Sequence, residues 1–324
     1  MHLSAAYMLK YSVQMDRVPV IYTIIGPTAV GKTIVSIALA DKIDAEIISA
    51  DSRLIFTGLD IGTAKPSFEE RKGIPHHLID IVKPHHNFTV ADFQKLAVEA
   101  LDDITGREKK AMIVGGTGLY IRALVDNPSY QDQPPNPELR ERILDEIGEK
   151  GAEIIYAELM AFDPVTAKKI HPNNIPRLVR ALEVIRSTGR KFSDAVKQDR
   201  DSSKKLPFDF KLIGLNMERD LLYDRINRRV LKMMDDGWLD EVGRVLDSGS
   251  DGTEKPLTGL GYREMVKVAR NQMSLDDAIP LIQRDTRRFA KRQMTFFRGL
   301  ENVRWLDINP GMNPSIIADE ILKS

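Results

Sequence analysis

The sequence predicts an α/β fold built on a parallel sheet, with an all-helical insertion. Three observations carry that reading. Short apolar, β-branched runs alternate with helical periodicities from Val20 to Val125, the pattern of a parallel sheet covered on both faces. The first run leads directly into Gly26-Pro27-Thr28-Ala29-Val30-Gly31-Lys32-Thr33, which fits the P-loop pattern Gly-x4-Gly-Lys-Thr. From Glu138 to about Val196 the pattern is helical throughout, with no convincing strand.

Val20 to Ile25 reads as a buried strand because its six residues are β-branched or apolar. In the loop that follows, Gly26 and Gly31 allow backbone geometry that a Cβ forbids. The loop N–H groups and the N-terminus of the next helix attract phosphate oxygens. Lys32 supplies a cation to the terminal phosphate, and Thr33 offers its hydroxyl to Mg²⁺. Ile34 to Ile43 is helix-like, and Ala45 to Ala50 is a second strand ending at Asp51-Ser52-Arg53. Gly58 to Pro66 is glycine-rich and turn-like. Leu78 to Val82 reads as a strand, Val90 to Ile104 as an amphipathic helix, and Ala111 to Val114 as a buried strand followed by Gly115-Gly116-Thr117-Gly118.

Asp126 to Pro137, rich in Pro, Asn, Gln and Asp, is a boundary. Phe210 to Met217 returns to strand character. Helices follow over Arg219–Met234, Leu239–Leu246, Gly261–Ala269 and Leu275–Phe297, then a short strand over Val303–Ile308 and a last helix. The expected organisation is an N-terminal extension (residues 1–18), a P-loop NTPase-like core (19–125 and 205–324) and a helical insertion (126–204).

Composition narrows the chemistry. With 324 residues, 29% charged and 42% hydrophobic, the chain has the balance of a soluble globular protein. It has no cysteine, which excludes disulfides, Cys-ligated zinc and a thiol nucleophile. Lys plus Arg equals Asp plus Glu at 47 each, so a globally cationic protein is excluded but a local basic patch is not. No signal peptide and no run of about 18 apolar residues is evident, so the cytoplasm is the expected location. His76-His77 and His85-His86 are adjacent pairs; on a strand such neighbours point to opposite faces, and loop histidines are the better reading than a metal site.

Asp51 is the main catalytic candidate. It ends the strand after the P-loop helix, and ligands of open parallel sheets gather at the carboxyl ends of strands. A carboxylate there can act as a general base or bind Mg²⁺ through water. Gly115 to Gly118 marks either close backbone approach to a ligand or a turn. Arg284, Arg287, Arg288, Lys291, Arg292 and Arg298 recur on one face of one helix, with Phe289, Ala290, Met294, Phe296 and Phe297 assigned to the other side. Arg225, Arg228, Arg229 and Lys232 repeat the pattern, and the insertion adds Arg177, Arg180, Arg186, Arg190 and Lys191. Three such patches in a neutral chain suit a polyanion such as RNA, held through its phosphates.

The ordered motifs resemble the tRNA dimethylallyltransferases, the bacterial isopentenyl-tRNA transferases. The resemblance runs over about residues 20–306. It rests on Gly-Pro-Thr-Ala-x-Gly-Lys-Thr, Asp51-Ser52, Gly58 to Pro66, Pro75 to Asp80, Ala91-Asp92-Phe93, Val114 to Tyr120, Arg177 to Glu183, Gly259 to Glu264 and Thr286 to Thr295. It implies transfer of the dimethylallyl group of dimethylallyl diphosphate to N6 of the adenosine 3′ to a tRNA anticodon, position 37, with Mg²⁺ as cofactor and release of diphosphate. Gly26, Pro27, Thr28, Ala29, Val30, Gly31, Lys32 and Thr33 would then grip the leaving diphosphate. The helix after Met217 would add an arginine, Arg225 by register and Arg219 second.

The same resemblance makes Asp51 the base, with Thr33 and Arg225 beside it in the catalytic set. Thr117 matches a position near the reacting adenosine, and Ser52, Arg53 and Leu54 match a segment contacting that nucleotide. Pro176, Arg177, Leu178, Val179 and Arg180, with Arg287, Arg288, Lys291 and Arg292, would hold the tRNA. Leu54 and Phe56 stand where many members carry Gln and Tyr, and without cysteine the chain lacks the zinc finger of eukaryotic relatives. A monomer without membrane attachment is expected. Alternatives are a P-loop small-molecule kinase, which transfers phosphoryl from ATP with the same Lys32, Thr33 and Asp51; a dimethylallyltransferase acting on free adenine nucleotides; and an RNA-binding P-loop switch protein.

Overall fold

The computed structural model describes residues 18–128, 136–202 and 205–323. The N-terminal extension expected over 1–18 lies outside them except for Val18, as does most of the expected boundary segment at 126–137. Two compact units are present: Met1–Val125 with Leu206–Ser324, and Asp126–Lys205.

The first unit is built on a six-stranded sheet in the order β3-β2-β4-β1-β5-β6. The strands are β1 (Val20–Ile25), β2 (Ala45–Ser49), β3 (His76–His77), β4 (Lys110–Gly115), β5 (Asp209–Asn216) and β6 (Arg304–Asp307). All pairings are parallel, so each strand needs a crossover and the faces are covered by helices. In this unit those helices are α1 (Lys32–Ile43), α2 (Val90–Gly106), α3 (Gly118–Val125), α9 (Arg219–Asp235), α10 (Trp238–Asp247), α11 (Tyr262–Ala269), α12 (Leu275–Arg298) and α13 (Pro314–Leu322). Ile24, Ile47, Met112 and Ile213 from four neighbouring strands join Val35, Leu39, Ile226 and Ile317 from the helices in one buried cluster.

Register decides where the strand ends fall. Ile25 of β1 is level with Gly115 of β4 and Gly214 of β5, and Ser49 of β2 is level with Val114. Continuing each strand by one or two residues brings Gly26, Gly116 and Asp51 to one edge of the sheet.

The strand expected over Leu78 to Val82 does not form. The strand there is His76–His77, and Val82 makes only an isolated parallel bridge to Phe56. Leu78 and Asp80 adopt positive φ of 61° and 58°, which breaks an extended run. The apolar side chains of Leu78 and Ile79 are buried all the same, and burial is what produced their strand-like pattern.

The second unit contains α4 (Pro137–Lys150), α5 (Ala152–Phe162), α6 (Pro164–Ala167), α7 (Ile175–Thr188) and α8 (Phe192–Ser202). Ile143, Ile155, Leu159, Leu178 and Leu182 form its own core. Asn136 caps α4 through Leu139 N, and Pro137 starts it. Glu183 is buried in this unit and accepts hydrogen bonds from Asn136 N, Arg140 and Arg180. Burial alone would raise its carboxyl, but these partners hold it below the usual range. Among the described residues no helix is long and apolar enough to cross a membrane.

Candidate active site

The P-loop connects β1 to α1. Gly31 caps α1 with φ 108° and no side-chain cap bond, a conformation that favours glycine. The first N–H groups of a helix lack intrahelical partners, so this end is suited to an anion. The Lys32 ammonium folds back over the loop and donates to the carbonyls of Gly26 at 3.0 Å and Pro27 at 2.8 Å. Burial lowers its pKa to about 8, the neighbouring Asp51 charge opposes that fall, and Arg229 adds to it.

Asp51 and Lys32 meet at Gly116. A Cβ on Gly116 would stand 3.6 Å from Lys32 Nζ and 3.8 Å from Asp51 Oδ2. It would also stand 2.6 Å from Gln293 Nε2, closer than non-bonded atoms approach. Asp51 Oδ1 accepts from Arg53 N at 2.9 Å, which orients the carboxylate. Thr117 Oγ1 accepts from Ser52 N at 2.9 Å and donates to Ser52 Oγ at 3.2 Å. The ends of β2 and β4 are thereby clasped, with Ala50 O accepting from Thr117 N.

Arg225 reaches the P-loop directly, its Nε donating to Ala29 O at 3.0 Å. Arg229 follows four residues later on the same face of α9. Burial lowers its pKa, the Asp51 charge opposes that fall, and Arg225 adds to it. Sequence reasoning placed Arg229 only in a general basic face. The signal was its spacing from Arg225. Arg219 is exposed at the start of α9, its guanidinium 5.4 Å from the Tyr223 ring centroid. Among the described residues it makes no hydrogen bond to the P-loop.

Gln293 was also assigned no chemistry. It is buried on α12, its Oε1 accepting from Thr28 N at 2.8 Å and its Nε2 donating to Gly116 O at 2.8 Å. One amide thus joins the P-loop to the β4–α3 turn. Its signal in the sequence was a polar residue between Ala290 and Phe297 on the buried face of an amphipathic helix. Glu241, 3% exposed on α10, accepts from the N–H groups of Asp60 and Ile61 and from the Tyr262 hydroxyl. It holds the glycine-rich loop after Asp51.

The remaining expected site residues divide. Arg53 is turned onto the carbonyls of Lys255 and Pro256, and Leu54 is half-buried, its carbonyl accepting from Asp80 N. Arg288, Lys291 and Arg292 are exposed, while Arg287 is half-buried and donates to Asn227 Oδ1 at 2.6 Å. Phe289 corrects the expected two-sided helix: it is exposed among the cations, beneath Arg292. The helical wheel put it with the apolar set, but the core on that side is filled by Ala290, Gln293 and Phe297. In the insertion, Pro176 and Arg177 are exposed, and Arg180 pairs with Glu183. Leu178 and Val179, in the segment expected to hold the tRNA, have their side chains packed in the insertion core.

As a chemical object the crevice can hold a diphosphate between a helix N-terminus, Lys32, Arg225 and Arg229, with a carboxylate beside it. Among the described residues no group of three or more His, Asp or Glu side chains could hold a metal ion. Any metal here would take most of its ligands from water and substrate oxygens, the habit of Mg²⁺.

The sequence and the fold are similar to those of known proteins. A family model described as IPP transferase matches residues 54–300. A tRNA dimethylallyltransferase of Alkaliphilus oremlandii is 44% identical over 300 residues, 93% of this chain and 95% of that protein. The crystal structure of a tRNA isopentenylpyrophosphate transferase from Bacillus halodurans is 39% identical, with a TM-score of 0.68 covering 94% of this chain and 96% of that one. A eukaryotic dimethylallyltransferase acting on tRNA is 28% identical, with a TM-score of 0.74 over 89% of this chain and 74% of that one. The chain therefore belongs to the IPP transferase family.

Proposed function

We propose that this chain transfers a dimethylallyl group from dimethylallyl diphosphate to N6 of the adenosine at position 37 of tRNA, next to the anticodon, and releases diphosphate. The observation that carries this reading is the pairing of Asp51 and Lys32 across Gly116, with a base and a diphosphate cation facing one point.

An adenine amino group is a weak nucleophile because its lone pair is delocalised into the ring. Its nitrogen attacks the allylic carbon as the carbon–oxygen bond to diphosphate breaks, and Asp51 takes the N6 proton. The charge left on diphosphate is met by Lys32, by the N-terminus of α1, and by Arg225 and Arg229. These groups are positioned before substrate arrives, by β-sheet register and by the Gln293 bridge. The Thr33 hydroxyl is exposed in the first turn of α1 and makes no side-chain hydrogen bond among the described residues, so it fits a Mg²⁺ carried in by the diphosphate. When bound, Mg²⁺ would neutralise part of the diphosphate charge.

The target adenine must leave the anticodon-loop stack to reach Asp51. Ser52 and Thr117, clasped at the crevice mouth, would line its path. Exposed Arg288, Lys291, Arg292, Pro176 and Arg177 would contact the RNA. A tRNA substrate makes the cytoplasm the working compartment, and one chain carries all the residues named, so a monomer suffices.

Incubating the protein with labelled dimethylallyl diphosphate, Mg²⁺ and unmodified tRNA tests the reading. Label should move to tRNA, and Asp51→Asn should abolish transfer while leaving tRNA binding largely intact. Turnover by Asp51→Asn at the wild-type rate would overturn the assignment of the base, and ATP hydrolysis without label transfer would overturn the reaction class.

A further inference from the structure

Helix α12 carries an exposed aromatic ring in the middle of its cationic face. Phe289 is 37% exposed, and the Arg292 guanidinium lies 5.8 Å from its ring centroid. Arg288 and Lys291 beside it are exposed as well. A single exposed apolar side chain is ordinary on a protein surface; the surroundings of this one are not. Phe289 precedes Gln293 by four residues, so the two lie on neighbouring parts of the helix surface, about 6 Å apart along the axis at 1.5 Å per residue. The Gln293 amide is fixed against Gly116 O and Thr28 N, and Gly116 adjoins Asp51 and Lys32. The ring and its guanidinium therefore stand about one helical turn from the catalytic crevice.

We propose that Phe289 and Arg292 form a stacking platform for an unpaired base flanking the adenosine that enters the crevice. This rests on the tRNA reading above and adds to it a base contact, distinct from the phosphate contacts of the basic stripe. Every base has a π face, and both an aromatic ring and a guanidinium plane stack on it. The arginine also adds a cation–π term with the ring. Bases of a paired stem are already stacked and cannot be taken up in this way, whereas loop bases can be splayed out. Arg288 and Lys291 lie where the phosphates on either side of such a base would pass. The platform thus selects single-stranded loop geometry and tolerates any base, while the crevice selects the adenine.

The test uses the full-length protein and an anticodon stem-loop RNA, intact or with an abasic residue at the position 5′ or 3′ of the target adenosine. Affinities are measured across a salt series. Phe289→Ala should weaken binding of the intact RNA about tenfold or more, with the slope of log affinity against log salt unchanged because no charge is removed. Arg288→Ala should instead lower that slope by about one. Phe289→Tyr should restore affinity, Phe289→Leu should not, and diphosphate affinity should be unchanged in all three Phe289 variants. With one of the two abasic RNAs, wild type and Phe289→Ala should bind alike.

Wild-type affinity in Phe289→Ala and Phe289→Leu would overturn the platform, as would an equal Phe289→Ala defect on both abasic RNAs. If the wild-type protein neither binds nor prenylates the intact stem-loop, the tRNA reading itself falls, an outcome visible before any variant is compared.

Discussion

Gln293 spans the crevice to Gly116, donating from Nε2 to its carbonyl at 2.8 Å, while its Oε1 accepts from Thr28 N at the same distance. A single side chain from the C-terminal part of the protein thus sets the spacing between the P-loop and the turn beside Asp51. Gln293→Ala would leave a loop N–H and a turn carbonyl without partners, each at a cost of about 1–3 kcal/mol. Prenyl transfer should fall by about a hundredfold, the loss expected for a misplacement of roughly 1 Å. RNA affinity should stay near wild type. Steady-state kinetics with tRNA as the varied substrate separate the two.

Lys32 gives a pH dependence with a defined direction. Its pKa in the free protein is lowered to about 8, and a bound diphosphate must raise it. Donor affinity should be constant below pH 8 and weaken above it, with proton uptake on binding. Isothermal titration in buffers of different ionisation heat measures this. Folding runs the other way. The unfolded chain holds the proton up to the ordinary lysine value of 10.5, so burying this charge costs stability at low pH, and the cost is relieved as pH rises from about 8 to 10.5. Lys32→Met should remove both effects.

Glu46 controls acid stability. It lies on β2, and Arg107 holds it through Nη1 at 2.7 Å and Nη2 at 2.9 Å, with His77 Nε2 at 2.7 Å from its Oε2. These hydrogen bonds, Arg107 first, lower its pKa to about 2 against the opposing effect of burial. The stabilisation is complete above its unfolded value of 4.5 and is lost as pH falls towards 2. Its size is about 2 kcal/mol, allowing for the solvent-facing Arg107 partner. Glu46→Gln should lower the melting temperature at pH 7 and flatten its fall between pH 4.5 and 2, as followed by circular dichroism.

Glu241 holds the loop that follows Asp51. Glu241→Ala would strip the Asp60 and Ile61 N–H groups and the Tyr262 hydroxyl of their acceptor. Loss of a buried hydrogen-bonded carboxylate should destabilise the protein by about 3 kcal/mol. Protection of the Asp60 and Ile61 amides in hydrogen exchange should fall first, before global unfolding. Uniform loss of protection across the sheet would mean that Glu241 serves the whole fold and not this loop.

Local chemistry explains which features were legible in the chain. The P-loop is contiguous, so its glycines, lysine and threonine are recognisable without any partner. Asp51 could be nominated because parallel topology makes strand ends converge, a rule that needs only the alternation of strands and helices. Leu78 to Val82 misled because burial gives an apolar run whether or not the backbone is extended, and positive φ at Leu78 and Asp80 leaves no mark in periodicity. Phe289 misled for the opposite reason, since a helical wheel assigns sides by hydrophobicity alone.

The chain by itself determined the α/β class, the phosphate-binding loop and the candidacy of Asp51, because these follow from short-range patterning and backbone sterics. Tertiary structure alone decided that Gln293 bridges Thr28 and Gly116, that Arg229 joins Arg225 beside the loop, and that Leu178 and Val179 are core. It also decided that Phe289 faces outward among cations. Each of these depends on which surfaces pack together across long sequence separations, a choice made by sheet register and by the competition of side chains for a limited interior.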